Sequence, residues 1–208
     1  MFAIGHCALG YLTGEAVSRS FSLKVNLPIL LAVSVSPDVD MIFQKFSPLI
    51  HRGPTHSLIT MTILTIPFLL AYGKVVAPYF VALISHSLIG DFFTGGVQLF
   101  WPIDQNWYGL FSMEGDSFTV ALIELILFVV SIVAMVKSGA LIRLLQPGSK
   151  KVALFLPLGA LLVPMLPLGS GFGPALPQLL IIPSLIYMAL FSYSILVERK
   201  KGLRALLR

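Results

Sequence analysis

A series of long apolar segments constrains the fold more than any other feature. Residues 118–136 contain a single charged residue, Glu124, and residues 152–197 contain none. Apolar segments of about 20 residues are typical of helices that cross a lipid bilayer. Over the whole chain 11% of the residues are charged, less than half of the roughly 25% found in soluble domains. The sequence therefore predicts an all-α protein, a polytopic transmembrane helical bundle.

The apolar segments predict about five to seven membrane segments. The candidate spans are residues 1–18, 26–35, 55–72, 75–94, 118–136, 152–168 and 175–197. Pro37 is expected to end the second segment, and Thr55 is expected to cap the third. Basic residues concentrate at 19–24, at Lys74, at 137–151 and in the C-terminal tail. The positive-inside rule puts these on the cytoplasmic side, with the N-terminus outside and the C-terminus in the cytoplasm.

The chain shows no internal repeat and no linker, so we expect one membrane domain over residues 1–208. Its polar motifs lie in residues 1–110, and residues 111–208 add further transmembrane helices. The net charge of +5 then indicates cytoplasmic loops that face anionic membrane lipids, and no nucleic acid partner. A lone cysteine, Cys7, excludes an internal disulfide and a cysteine-rich zinc site.

Metal-competent side chains interrupt the apolar sequence in four short motifs. The motifs are Gly5-His6, Ser36-Pro37-Asp38-Val39-Asp40, His51-Arg52-Gly53-Pro54-Thr55-His56-Ser57 and Ser85-His86-Ser87-Leu88-Ile89-Gly90-Asp91. The predicted topology brings all four to one membrane level on the extracytoplasmic face. We therefore expect one polar metal cluster there. Its candidate ligands are His6, Asp38, Asp40, His51, His56, His86 and Asp91.

Histidine nitrogen and carboxylate oxygen suit zinc, and also manganese or iron. Seven such residues exceed one tetrahedral site, so we expect one to three divalent ions, with zinc preferred and manganese as the alternative. Two-metal sites favour hydrolysis of phosphate esters. Arg52 is a candidate anion-binding residue, and Asp40 or Asp91 is a candidate for moving the proton.

The spacing within two motifs leaves the geometry open. His86 and Asp91 are five positions apart, so on a regular helix they point about 140° from one another. Either the helix is bent there or the two residues bind different metals. Asp38 and Asp40 share a face only if the backbone is extended.

Other interpretations of the polar residues remain open. His6 is equally expected as a hydrogen-bonding group between helices, and Glu15 and Glu124 as packing or ion-pair partners. Converging ligands could also line an ion or proton path, or hold a structural metal in a scaffold. A path predicts further ligands in the cytoplasmic half, where the sequence offers few.

The four motifs, followed by Phe100-Trp101-Pro102, resemble the YdjM-like family of membrane-bound metal-dependent hydrolases. The likeness holds in order and spacing over roughly the first half of the chain. It implies a helical protein of a prokaryotic cell membrane, a metal site at the seven residues above, and hydrolase activity. It also implies a distant kinship to the zinc-dependent phospholipase C and P1 nuclease group. The chain departs from the pattern at Met41-Ile42, and no proline follows Thr94.

Together these observations predict a membrane-embedded, metal-dependent hydrolase. The expected substrate is a phosphoester, and specifically a phospholipid, because the cluster lies at membrane depth. The alternative prediction is a divalent metal or proton transporter that uses the same residues.

Overall fold

A computed structural model describes residues 1–43, 51–110, 117–166 and 176–206. In those ranges the chain is helical, apart from loops and one isolated β-bridge between Val97 and Tyr108. The α-helices are α1 (Ala3–Ser20), α2 (Leu27–Val35), α3 (Leu58–Tyr72), α4 (Ala77–Ser85), α5 (Phe92–Thr94), α6 (Ser117–Lys137), α7 (Ala140–Leu145), α8 (Phe155–Leu162) and α9 (Gln178–Leu206). The predicted all-α fold is confirmed. A turn predicted at residues 169–174 lies outside the described residues.

Short helical turns of other types join these helices. The 3-10 turns are Ser36–Phe43, Pro54–His56, Gly73–Val76, Lys151–Leu154 and Val163–Met165, and a π-helical turn covers His86–Asp91. Three of these turns, those that begin at Ser36, Pro54 and His86, carry the predicted metal-binding motifs.

Helix α1 lies at the centre of the bundle, where it packs against α2, α4 and α6. Most of its residues are buried, including His6 and Tyr11. Its glycines permit this packing, because Gly10 lies against Ser34 and Gly14 against Leu30, both on α2. Small residues four apart let membrane helices approach closely. The polar residues that make α1 a poor membrane span by hydropathy therefore face protein.

The contact at Gly10 gives a prediction about stability. A Cβ added at Gly10 would lie 2.2 Å from Ser34 Cβ, so Gly10→Ala must force α1 and α2 apart. We expect a loss of about 1–3 kcal/mol, measured as a lower thermal unfolding midpoint in detergent. Gly159→Ala in α8 is the control, because no atom lies within 4 Å of its added Cβ. A wild-type midpoint for Gly10→Ala would contradict the close packing.

Within the described ranges, three helical segments are long and apolar enough to cross a bilayer: Leu58–Thr94, Phe118–Lys137 and Gln178–Glu198. The first has 37 residues, and would be about 55 Å long if straight. It folds back at Gly73, where φ is +61°, and α3 and α4 pack together as a hairpin. These segments support a membrane protein, and the count of five to seven spans stays a prediction.

Two predicted helix boundaries need revision. Thr55 was expected to cap α3, but α3 begins at Leu58 and Ser57 caps it by accepting hydrogen bonds from the Ile59 and Thr60 amides. The expectation fails because the 3-10 turn Pro54–His56 precedes the helix and directs the Thr55 hydroxyl elsewhere. The described part of the expected span at 152–168, which ends at residue 166, contains the eight-residue α8 and flanking 3-10 turns, consistent with its prolines.

Candidate metal centre

The predicted ligands converge at one end of the helix bundle. Asp38 and Asp40 follow α2 in the 3-10 turn Ser36–Phe43. His56 ends the turn that precedes α3, and the π turn His86–Asp91 continues α4. Because the α3–α4 hairpin folds back on itself, the start of α3 meets the end of α4, and α2 ends beside both.

Four donor atoms lie close together around the Nε2 atoms of His56 and His86. They are Asp38 Oδ1, His56 Nε2, His86 Nε2 and Asp91 Oδ2. His56 Nε2 lies 3.1 Å from His86 Nε2, 3.5 Å from Asp38 Oδ1 and 3.4 Å from Asp91 Oδ2. His86 Nε2 lies 3.3 Å from Asp38 Oδ1 and 3.4 Å from Asp91 Oδ2.

These spacings are of the size found between donor atoms that share a metal ion. Two donors bonded to one zinc ion at about 2.0 Å in tetrahedral geometry lie about 3.3 Å apart, and the five separations above are 3.1 to 3.5 Å. The set contains two neutral donors and two anionic donors, which suits a divalent cation. The described His and Asp residues could therefore hold a metal ion.

Hydrogen bonds behind the two imidazoles point their Nε2 atoms at this centre. His86 Nδ1 donates to the Ser34 carbonyl over 2.8 Å, so it carries a proton. His56 Nδ1 lies 3.3 Å from Asp40 Oδ2, an oxygen that also accepts from the Thr55 hydroxyl. Such partners fix the tautomer and orientation of metal-binding histidines. Two Nε2 lone pairs at 3.1 Å would repel unless a proton or a metal cation lies between them.

The charge of the turn residues also favours a cation. Burial alone would raise the pKa of Asp38, but His86, His56 and His6 hold it well below its usual range. Burial alone would lower the pKa of His56, but hydrogen bonds to Asp38 and Asp40 outweigh burial and raise it to about 9. Without metal the centre therefore combines ionised carboxylates with a bound proton, and a divalent cation would compensate the same negative charge.

The π turn explains how His86 and Asp91 reach one centre. Its hydrogen bonds join residues five apart, so positions 86 and 91 are stacked on one side of the widened turn. The spacing leaves open a bent helix or two different metals, and the structure has a π turn at this place, with His86 Nε2 3.4 Å from Asp91 Oδ2. Asp38 and Asp40 do not lie on an extended backbone. In their 3-10 turn they point to different sides of His56, Asp38 to Nε2 and Asp40 to Nδ1.

His6 lies beside the four donors from Asp38, His56, His86 and Asp91. Its ring stacks on that of His86, with centroids 3.5 Å apart. His6 Nε2 lies 3.6 Å from Asp91 Oδ1 and 4.0 Å from Asp38 Oδ2, the carboxylate oxygens that are outside the set. Both His6 nitrogens are buried without a hydrogen-bond partner, a costly state that a second cation would relieve. Gly90 makes room, since a Cβ there would lie 2.7 Å from His6 Cε1.

The remaining predicted residues surround the set. His51 Nδ1 lies 2.9 Å from Asp40 Oδ1, so the pair stands behind His56. Arg52 has a left-handed backbone, with φ of +63°, and its guanidinium lies 3.4 Å from Asp91 Oδ1. The structure thus brings together all seven candidate ligands and Arg52.

Three residues that position side chains of the centre, Ser34, Thr55 and Glu124, were not predicted from the sequence to have that role. Ser34 acts through a backbone carbonyl, and Thr55 was taken for a helix cap. Glu124 of α6 accepts hydrogen bonds from the amides of Phe2 and Gly5, and so caps α1 and positions the helix that carries His6. Its isolation in an apolar span was the available signal, but no local pattern shows which amides it accepts from.

A family model described as YdjM inner membrane protein matches residues 1–170. No curated protein and no solved structure matches the chain. The kinship to zinc-dependent phospholipase C and P1 nuclease therefore stays a prediction. The matched region includes every residue of the metal centre and most of the helical bundle. The chain belongs to the YdjM inner membrane protein family.

Proposed function

We propose that this protein is a membrane-embedded, metal-dependent hydrolase of a phosphoester, with a lipid as the expected substrate. The observation that carries the proposal is the close group of donors from Asp38, His56, His86 and Asp91, with His6 beside it and a cationic side chain at its edge. Zinc is the first choice of metal, because the donor atoms and their spacing suit it. When bound, a divalent cation supplies Lewis acidity, lowering the pKa of a coordinated water and stabilising phosphoryl oxygens.

Arg52 is the proposed anchor for the phosphoryl group. Its guanidinium lies beside Asp91 and its side chain is largely buried, so its charge is poorly screened by water. A planar guanidinium can hold two oxygens of a phosphate at once. The position of Arg52 at the edge of the donor set would orient a phosphoester towards that set.

The Asp40 and His51 pair is the proposed route for protons. Asp40 contacts the far side of His56 and accepts from His51, which is more exposed than the other cluster histidines. The two side chains thus connect the buried centre with its surroundings. Asp91, the other candidate for this role, lies within the donor set, so a ligand role fits it better.

Turnover of defined substrates tests the proposal. Purified protein loaded with zinc should hydrolyse phosphatidylglycerol, phosphatidic acid or the soluble diester bis(4-nitrophenyl) phosphate, and a chelator should abolish turnover. Asp91→Asn should lose it as well, whereas Glu15→Gln should not, because Glu15 pairs with Arg19 at an exposed position. Stoichiometric metal without turnover of any phosphoester would overturn the proposal.

Transport of a divalent metal or a proton stays the alternative prediction. A path across the membrane needs ligands beyond this centre, and in the ranges that the structure describes each cluster of three or more potential metal ligands belongs to it. Glu124 caps α1 and Glu15 pairs with Arg19. Zinc uptake into liposomes that Asp91→Asn abolishes, without phosphoester turnover, would favour transport.

A further inference from the structure

An apolar groove is lined by both helices of the hairpin, α3 and α4. Its cavity has a volume of about 670 Å³, within the range of small-molecule sites. One wall is α3, the opposite wall is α4, and Ile29 and Val33 of α2 form the floor. No residue along the groove carries a charge.

The groove begins at the metal centre. Ser36, Pro37 and Thr55 line that end. Pro37 directly precedes Asp38, and the Thr55 hydroxyl donates to Asp40. A molecule in the groove would therefore have one end beside Pro37 and Thr55, which adjoin Asp38 and Asp40, and the rest among apolar side chains.

The groove continues to Tyr72 and Tyr79 near the turn of the hairpin. Helix α3, which forms one wall, has 15 residues and is about 22 Å long, more than the roughly 15 Å of hydrocarbon in one bilayer leaflet. Leu64 and Phe68 line the groove and are 63% and 57% exposed. In a bilayer these side chains face lipid, so the groove is open to hydrocarbon from the membrane.

We infer that this groove binds one hydrocarbon chain of the substrate and holds the phosphoester at its polar end against the metal centre. The inference rests on the proposed function and specifies its substrate as a long-chain amphiphile with an anionic head. The match is chemical at both ends: an uncharged groove receives the chain, and Arg52 with the cation site receives the phosphate. A helix of a second protein could also fill the groove, but such a partner would not require the groove to end beside the metal centre.

Photocrosslinking tests the groove directly. The probe is phosphatidylglycerol with a diazirine on one acyl chain, in vesicles of phosphatidylethanolamine and phosphatidylglycerol. Adducts should concentrate on groove residues of α3 and α4. Leu64→Trp should lower the yield of adducts about tenfold, because the larger side chain displaces methylenes of the acyl chain from the groove. Each displaced methylene lowers the affinity nearly fourfold. Ile63→Trp is the matched control, because Ile63 is 59% exposed but lies outside the groove lining.

Adducts spread evenly over the exposed faces of α6 and α9, or equal adducts in the Leu64 and Ile63 variants, would overturn the inference. If Leu64→Trp loses its metal, Phe68→Trp replaces it. Turnover assays distinguish a failure of this inference from a failure of the proposed function. Ile63→Trp should keep wild-type turnover of both bis(4-nitrophenyl) phosphate and the long-chain lipid, whereas Leu64→Trp should lose turnover of the long-chain lipid. Wild-type protein that hydrolyses neither compound defeats the proposed function, and the adduct pattern still decides the groove.

Discussion

His86→Ala is expected to weaken zinc binding by more than about 100-fold, beyond the 10- to 100-fold typical of losing an outer partner. His86 Nε2 forms edges of 3.1 to 3.4 Å with the three other donors of the set. Its removal leaves three donors and also removes the ring on which His6 stacks. Metal content after dialysis against a competing chelator measures the effect.

His51→Ala is the matched comparison for this prediction. His51 contacts Asp40 and the ring of His56 and is not one of the four donors, so its loss should cost about 10- to 100-fold, the cost of removing an outer partner. The two variants delete the same side chain at the same end of the bundle. If they lost metal equally, or if His51→Ala lost more, the assignment of the four donors would be wrong.

Zinc affinity is expected to rise about tenfold for each pH unit up to about pH 9, and then to level off. The pKa of His56 is raised to about 9 in the metal-free protein by Asp38 and Asp40, against the effect of burial. Metal requires the unprotonated Nε2, so below pH 9 each binding event must release that proton. Acid therefore favours protonation of His56, and alkali favours zinc binding to its Nε2 atom. Competition with a chelator of known pH dependence, from pH 6 to 10, measures it.

Buffers of different ionisation enthalpy give a second measurement of the same proton. Calorimetry at pH 7 should show release of about one proton per zinc bound. An affinity that stayed flat between pH 6 and 9, with no proton released, would contradict the position of His56 Nε2 in the set.

The sequence predicted the helical membrane character and the members of the polar cluster well. Apolar content over residues 118–136 and 175–197 is a local property that length and composition reveal, and the structure has apolar helices at both places. The four motifs stand out for the same reason, because polar side chains are costly in such surroundings. Those residues do converge, although metal binding and catalysis by them await experiment.

Helix α1 shows what hydropathy does not predict about a buried helix. The sequence predicts a membrane span over residues 1–18. The structure packs this helix against α2, α4 and α6 and buries its polar His6. A helix surrounded by protein need not be apolar on every side, so hydropathy cannot show its depth or its neighbours. The cap that Glu124 provides to α1 is likewise a contact between residues more than 100 positions apart.

The sequence by itself therefore determined which residues are present, that the chain is helical and membrane-embedded, and which side chains are able to bind metal. Only the tertiary structure decided their arrangement. The π turn aligned His86 with Asp91, and the 3-10 turn put Asp38 and Asp40 on opposite sides of the His56 ring. The physical reason is that a donor set with edges of 3.1 to 3.5 Å depends on backbone geometry and on contacts distant in sequence, and local residue preferences do not contain either.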